Sequence, residues 1–273
     1  MTPTAHGPVV DVASERPQGA GRPGSWARRT IYIVLPALNE EASLPSLLHG
    51  LRETLDEAAA SYRIIVVDDG SEDQTARVAE TFKQDMSLRL IRHDANQGLG
   101  MALRDGLRAA LEEASDRDII VTMDADDTHT PGLILRMVRM ITEGYDVVVA
   151  SRYHPESRVR GVPLLRRTLS RSASLLMQAL FPTPGLRDFT CGYRAYKASV
   201  LRAAVGRYRD AFMTQEGFQC MVDILLKLRS MHLVFGEAPL ILRYDRKSGK
   251  SKMRVWRTMR HTLFLVLRRR CGA

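Results

Sequence analysis

The segment Asp118-Ile-Ile-Val-Thr-Met-Asp-Ala-Asp-Asp127 predicts a strand that runs directly into an acidic turn. The short apolar run up to Met123 is typical of a buried strand. Asp124 and Asp126 follow it at positions i and i+2, so both carboxylates can approach one cation. Mg²⁺ and Mn²⁺ prefer carboxylate oxygens. A solvent-exposed acidic turn without a metal could have the same sequence, but the position directly after an apolar strand favours a metal site.

The chain on either side of this segment alternates between strands and helices. Strands are predicted near 31–35, 62–67, 88–92 and 146–150, and helices near 43–59, 98–114 and 131–142. Ser71 and Gln74 have capping-box spacing, which predicts a further helix that begins there and ends near Lys83. Strands that alternate with helices give an α/β fold with a mostly parallel sheet covered on both faces.

Polar residues follow several of these strands directly. In parallel α/β sheets, ligands bind beside the carboxyl ends of the strands. We therefore expect these residues to meet at one edge of the sheet: Asn39, Glu40, Asp68, Asp69, Gly98, Asp124 and Asp126.

The alternation is less regular after residue 150. An amphipathic helix is predicted over 163–180, another helix over 216–229, and two short strands near 232–242. The segment 188–194 between them has no clear periodicity.

The net charge of +9 is concentrated in the last part of the chain. Residues 243–273 contain eleven Lys or Arg and one acidic residue, which favours a polyanionic partner. Residues 1–27 are rich in Pro, Gly and Arg and predict a disordered leader. We expect a folded domain over 28–250 and a basic amphipathic helix over 251–273 that lies on an anionic membrane or packs on the domain.

Two further features bear on the compartment. No stretch approaches the roughly 20 apolar residues that span a bilayer. The three cysteines have no metal-ligand spacing and fit a reducing compartment. We therefore expect a cytoplasmic protein, peripheral on the cytoplasmic face of the membrane.

The ordered motifs resemble those of family-2 glycosyltransferases, in particular the dolichol-phosphate mannosyltransferase and polyprenyl-phosphate branch. The resemblance covers roughly 31–253 and rests on these segments: Pro36-Ala-Leu-Asn-Glu40, Val67-Asp-Asp-Gly-Ser71, Asn96-Gln-Gly-Leu-Gly100, Asp124-Ala-Asp126, Ala150-Ser-Arg-Tyr153, Asp188 to Tyr196 and Gly249-Lys-Ser-Lys252. It implies a GT-A (Rossmann-like) fold, Mg²⁺ or Mn²⁺, and inversion at the anomeric carbon.

The resemblance also implies roles for individual residues. The donor, a GDP-mannose-like or UDP-linked sugar, would be bound by Pro36, Ala37, Asn39, Glu40, Asp68, Asp69, Gly98, Asp124, Ala125 and Asp126. The metal would be bound by Asp124 and Asp126, with Thr128 in a position able to help. The acceptor phosphate would be bound by Arg152, Arg166, Ser170 and Lys252. Asp126, Asp188 and Arg246 would be catalytic.

The acceptor decides whether a base is needed. A polyprenyl or dolichyl phosphate is already anionic, whereas a hydroxyl acceptor needs a base, for which Asp188 and Glu216 are the candidates. A soluble hydroxyl acceptor therefore stays open, as does a non-catalytic subunit that binds nucleotide sugars. The implied partners are a nucleotide sugar, a lipid phosphate, an anionic membrane and a membrane-anchoring subunit. Nucleic acid is not expected, because no groove-reading motif or aromatic stacking platform is present.

Overall fold

The computed structural model describes residues 29–162 and 164–244, without the side chains of residues 164–167 and 169. The strands are β1 Thr30–Ala37, β2 Ser61–Asp68, β3 Leu88–Arg92, β4 Ile119–Thr122, β5 Val147–Ser151, β6 Arg158–Arg160, β7 Arg194–Lys197, β8 Phe235–Pro239 and β9 Ile241–Arg243. The helices are α1 Leu44–Glu57, α2 Thr75–Phe82, α3 Leu99–Glu113, α4 Leu133–Thr142, α5 Leu164–Leu180, α6 Ala198–Tyr208 and α7 Cys220–Arg229.

Seven strands form one sheet in the order β3-β2-β1-β4-β7-β5-β8. All neighbouring pairs are parallel except those made by β7, which runs antiparallel to both β4 and β5. The short strands β6 and β9 pair in parallel as a separate two-stranded sheet. The predicted mostly parallel α/β sheet is therefore confirmed.

The central strands are buried on both sides. Ile31–Leu35 in β1 and Ile64–Val67 in β2 are consecutive core residues. Because successive side chains of a strand point to opposite faces, a continuous buried run means that both faces of the sheet are covered. Helix α3 packs against β1 and β2, and α4 packs against β5 and β7.

The predicted start of α2 is wrong. The helix begins at Thr75, and the Ser71 hydroxyl accepts a hydrogen bond from the Asn39 N–H instead of capping it. The Thr75 N–H donates to Asp73 at the true start of the helix. Ser71 therefore bonds to the turn after β1 and does not cap the helix in the way that the local sequence pattern predicts.

Two elements between 188 and 216 had no counterpart in the prediction, namely β7 and α6. The side chain of Arg194, at the start of β7, is completely buried and donates to the carbonyl oxygens of Phe189, Cys191 and Met221. Strand β7 was missed because it begins with a buried arginine. A charged residue at a buried position interrupts the apolar pattern by which a strand is recognised in the sequence.

Several predictions lie outside the described residues: the leader over 1–27, the helix over 251–273, and the side chains of Arg166, Arg246 and Lys252. Among the helices that the structure describes, none is long and apolar enough to cross a bilayer.

Candidate active site

The ends of the parallel strands converge as the sequence predicts. The Asp69 N–H, just after β2, donates to Ala37 O at the end of β1, and the Met123 N–H donates to Val34 O. Gly70 has a φ of 71°, and a Cβ there would lie 2.4 Å from the backbone carbon of Ala95. These contacts bring the turns after β1, β2, β3 and β4 to one edge of the sheet.

The acidic turn after β4 holds Asp126 in a defined orientation. Asp126 Oδ1 accepts hydrogen bonds from the N–H and the hydroxyl of Thr128, at 3.3 and 2.6 Å. Ala125 is buried between the two carboxylates. The Thr128 hydroxyl therefore orients Asp126, and its part in metal binding stays a prediction.

Asp124 faces a different part of the fold. Its Oδ1 lies 3.4 Å from the position that a Cβ on Gly192 would occupy, in the turn that leads into β7. Strand β7 thus brings a second segment, 188–192, against the acidic turn. The unpredicted antiparallel strand is the reason that this segment borders the site.

The residues of this turn fit a divalent cation that arrives with a phosphate-bearing ligand. Over residues 29–162 and 164–244, no group of three or more His, Cys, Asp or Glu side chains has metal-binding geometry. Mg²⁺ is usually held by one or two carboxylates together with substrate phosphates. Two carboxylates two residues apart, one of them pre-oriented by Thr128, match that donor set.

The two acidic residues after β2 have different environments. Both oxygens of Asp69 accept protein hydrogen bonds, from the N–H groups of Gln97 and Gly98 and from His93 Nδ1. Asp68 Oδ1 accepts the Ser71 N–H, whereas its buried Oδ2 has no hydrogen-bond partner among the described residues. Asp69 is thus satisfied by the protein, whereas Asp68 keeps one oxygen that can accept a further hydrogen bond, and the donor-binding role of both residues stays a prediction.

Asp68 Oδ2 is covered by an exposed side chain. Arg92 Nε lies 3.6 Å from it, and two-thirds of the Arg92 side chain is in solvent. A buried carboxylate oxygen favours a hydrogen-bond donor, and Asp68 Oδ2 accepts none among the described residues.

The turn after β1 is locked to the turn before α2. Asn39 has a φ of 50°, and its Oδ1 accepts the Glu72 N–H. The Glu40 N–H donates to the Thr75 hydroxyl. Pro36 lies immediately upstream and is half-buried. The predicted donor-binding residues of this turn are thus held against the Asp68 turn.

The glycine loop before α3 packs backbone to backbone on the segment before α7. Gly98 has a φ of 92°, and the Gly100 N–H donates to Glu216 O at 2.7 Å. A Cβ on Gly100 would lie 1.7 Å from Gln215 O. Glycine at position 100 is therefore required for the contact between the start of α3 and the segment of Gln215 and Glu216.

We expect Gly100→Ala to lower the free energy of unfolding by about 1–3 kcal/mol, the usual cost of overpacking, because backbone atoms must move. The measurement is urea unfolding of the purified protein. Gly206→Ala is the matched control, since a Cβ there meets nothing within 4 Å inside α6. Alanine in a helix interior should leave stability equal or raise it by up to about 1 kcal/mol. Equal unfolding midpoints for the two variants would contradict the packing argument.

Arg152 and Asp188 form an ion pair beside this edge. Arg152 Nε and Nη2 donate to the two oxygens of Asp188, each at 2.8 Å, and the N–H groups of Thr190 and Cys191 also donate to Asp188. Burial by itself raises the pKa of Asp188, but the Arg152 charge and these hydrogen bonds outweigh it, so the pKa lies below its ordinary value.

This arrangement argues against Asp188 as a general base. Its side chain is completely buried and its oxygens are occupied, whereas a base needs an acceptor within reach of the substrate proton. We replace the predicted catalytic role of Asp188 with one of positioning Arg152. Of the two base candidates, Glu216 is the exposed one.

A second predicted phosphate-binding residue lies next to Arg152. The Arg152 guanidinium carbon is 5.6 Å from the centre of the Tyr153 ring, and the Tyr153 hydroxyl is 2.6 Å from Ser170 Oγ on α5. Tyr153 therefore contacts both Arg152 and Ser170. Among the described contacts, Arg152 Nη1 donates no hydrogen bond and can serve an incoming anion.

The described cysteines have no catalytic environment. Cys191 and Cys220 are buried, and burial raises the pKa of each thiol to about 12. A thiol with so high a pKa is not a nucleophile near neutral pH.

Sequence reasoning missed four residues that support the site: His93, Thr190, Arg194 and Glu237. Glu237 Oε1 accepts the N–H groups of Arg187 and Asp188, so it holds the loop on which Asp188 lies. His93 and Glu237 have their partners far away in the sequence, whereas Thr190 bonds to nearby Asp188 and Arg194 bonds in part to the nearby carbonyls of Phe189 and Cys191. The spacing of Thr190, two residues after Asp188, was a local signal in the sequence.

Comparisons with known proteins identify the family of this chain. The model of a family described as "Glycosyl transferase family 2" matches residues 32–204. A polyprenol monophosphomannose synthase of Mycolicibacterium smegmatis is 29% identical over 248 residues, covering 89% of each chain. An undecaprenyl-phosphate mannosyltransferase of Micrococcus luteus is 32% identical over 224 residues, covering 82% of this chain and 87% of its own. A dolichol-phosphate mannosyltransferase of Pyrococcus furiosus is 27% identical, covering 86% of this chain and 63% of its own.

Solved structures show the same fold. Glucosyl-3-phosphoglycerate synthase from Mycobacterium tuberculosis, in complex with Mn²⁺, uridine diphosphate and phosphoglyceric acid, superposes with a TM-score of 0.63 at 24% identity, covering 90% of this chain and 80% of its own. Its complex with Mn²⁺, uridine diphosphate and glucosyl-3-phosphoglycerate gives 0.65 at 23% identity, covering 95% and 87%. At this level of identity the likeness concerns the fold.

Proposed function

The chain belongs to glycosyl transferase family 2, and we propose that it transfers a sugar from a nucleotide-sugar donor to a polyprenyl phosphate or dolichyl phosphate. The observation that carries the proposal is the acidic turn after β4, where Thr128 orients Asp126 beside Asp124. The lipid-phosphate acceptor is supported by the names of the mannosyltransferase relatives. The anionic acceptor fits Arg152, which Asp188 holds in place and which contacts Tyr153, itself bonded to Ser170.

The donor side would work by placing the diphosphate against the acidic turn. Asp124 and Asp126 would hold Mg²⁺ or Mn²⁺, which supplies positive charge that stabilises a departing diphosphate. Asp68 would accept a hydrogen bond from the nucleoside, and the turn of Asn39 and Glu40 would border the same pocket. The protein groups thereby orient the bond that breaks, between the anomeric carbon and the diphosphate oxygen.

On the acceptor side, a phosphate oxygen of the lipid attacks the anomeric carbon. The carbon–oxygen bond to the nucleoside diphosphate breaks, and the diphosphate leaves with the electron pair. Arg152 would bind the acceptor phosphate through Nη1, because its other nitrogens are committed to Asp188 and Thr190. A phosphate monoester is already anionic near neutral pH, so this reaction needs no general base.

The direct test is transfer of radiolabel. Full-length protein, Mn²⁺ and undecaprenyl phosphate are incubated separately with labelled GDP-mannose and UDP-glucose, and the products are extracted into organic solvent. We expect a labelled, acid-labile lipid with one of the donors, and no labelled lipid when the acceptor is left out or EDTA is added.

Two other outcomes would overturn the proposal. Label that moves only into water-soluble glycosides would indicate a hydroxyl acceptor, and Glu216 would then be the candidate base. Donor binding without transfer to any acceptor would indicate the non-catalytic subunit. The membrane-surface role of residues 251–273, the cytoplasmic location and the anchoring subunit stay predictions.

A further inference from the structure

His93 lies between two carboxylates at the donor edge of the sheet, just after β3. Its Nδ1 is 2.7 Å from Asp69 Oδ1, and its Nε2 is 3.2 Å from Asp105 Oδ2 on α3. Only 7% of the residue is exposed. We propose that His93 is held as an imidazolium in this bridge and is a positioning residue for donor binding. The link to the donor rests on the proposed function, whereas the protonation state does not.

The chemistry of the two partners defines the protons on the ring. An ionised carboxylate is only an acceptor, and both ring nitrogens are donors only in the protonated imidazole. A neutral ring would direct one nitrogen lone pair at a carboxylate oxygen. Arg104 Nε lies 3.2 Å from Asp105 Oδ1, so the line of groups alternates in charge: Arg104, Asp105, His93 and Asp69.

Asp69 connects His93 to the glycine loop before α3. It accepts the Gln97 N–H on Oδ1 and the Gly98 N–H on Oδ2, each at 2.9 Å. His93 occupies the remaining direction of Oδ1, and the Asp69 side chain is 5% exposed. Rotation of this carboxylate would therefore release both loop amides together.

The loop connects the donor edge to the rest of the site. Gly98 lies directly before α3. In the first turn of α3, the Gly100 N–H donates a hydrogen bond to Glu216 O, in the segment before α7. The same loop approaches Gly70, two residues after the proposed nucleoside contact Asp68. His93 thus fixes three parts of the sheet edge: the end of β2, the end of β3 and the start of α3.

The protonation state is measured by ¹⁵N NMR of histidine-labelled full-length protein at neutral pH, with the His93 signal assigned by its loss in His93→Gln. We expect both ring nitrogens of His93 to be protonated. In Asp105→Asn, the amide group can donate to Nε2, so the ring should become neutral with its proton on Nδ1. A neutral His93 ring in the wild type would overturn the proposal, as would an unchanged signal in Asp105→Asn.

The positioning role is measured by steady-state kinetics. A loop that binds the donor equally in the ground state and the transition state affects KM and leaves kcat unchanged. We expect His93→Gln to raise the donor KM about tenfold while kcat stays within about threefold of the wild type. His49→Gln is the matched control, because His49 is exposed on α1. Equal donor KM values for the two variants, or a fall confined to kcat, would refute the positioning role.

The NMR and kinetic experiments test separate parts of the proposal. If no labelled donor is used by the wild type, the proposed function fails, and the NMR result still decides whether the bridge is charged. If His93→Gln does not fold, as judged by thermal unfolding, Asp105→Asn supplies the assignment, and retention of the imidazolium signals in it overturns the proposal.

Discussion

Asp126→Asn is expected to lower kcat by a factor of about 10²–10³, the usual cost of losing one group that stabilises developing charge. The amide keeps a carbonyl oxygen for the hydrogen bonds from Thr128, so the turn should fold as before. It lacks the negative charge that a divalent cation requires. The measurement is kcat at saturating donor and Mn²⁺, together with a melting temperature that should match the wild type.

Asp127→Asn provides the control from the next position. Asp127 accepts a hydrogen bond from the Ser46 hydroxyl and has a φ of 54°, a conformation that asparagine tolerates well. We expect its kcat to stay within about threefold of the wild type, since a surface substitution of this kind has little effect. Near-wild-type turnover in Asp126→Asn, or an equal loss in both variants, would exclude the proposed metal site.

The parts of this fold that could be predicted are those in which the local sequence alone determines whether a residue is buried. Ile31–Leu35 and Ile64–Val67 are continuous apolar runs, and burial on both faces of a parallel sheet is the environment that such runs require. The position of Asp124 and Asp126 at a strand end followed from the same pattern. The convergence of the strand ends then followed from parallel order alone.

The parts that could not be predicted depend on partners distant in sequence. His93 and Asp69 are 24 residues apart and meet because β2 and β3 are neighbours. The Ser71 hydroxyl bonds to Asn39, and this tertiary contact displaced the capping box. The buried Arg194 donates to the Met221 carbonyl of helix α7, 27 residues away, so β7 carries a charge where a pattern search requires an apolar residue.

Asp188 shows how burial changes the role that a single acidic residue can have. From the sequence, Asp188 was a candidate base for a hydroxyl acceptor, because a carboxylate can accept a proton. In the fold, that residue is enclosed and paired with Arg152. The distinction between a catalytic and a positioning carboxylate therefore required the structure, and it can be tested by stability.

Asp188→Asn is expected to lower the free energy of unfolding by about 3–5 kcal/mol, because removing one partner of a buried ion pair leaves the other charge uncompensated. The Arg152 side chain is 26% exposed, which places the expected loss toward the lower end of that range. Urea unfolding of both proteins at neutral pH measures it.

The difference between Asp188→Asn and the wild type should depend on pH. The folded-state pKa of Asp188 is lowered from the ordinary value of 3.8, so its stabilisation is fully present above that pH. It is lost as the pH falls through the lower folded-state pKa. The two unfolding curves should therefore be furthest apart at neutral pH and approach each other only in acid below about pH 4.

Asp116→Asn is the control that separates a buried from an exposed pair. Asp116 is bonded to Arg202 at 3.0 Å, with 69% and 47% of the two side chains exposed, and such pairs contribute about 1 kcal/mol or less. Asp188→Asn should therefore lose several times more stability than Asp116→Asn. If Asp188→Asn instead unfolds with the wild-type midpoint while kcat collapses, the carboxylate acts on the substrate itself, and Asp188 returns as the base of a hydroxyl-accepting enzyme.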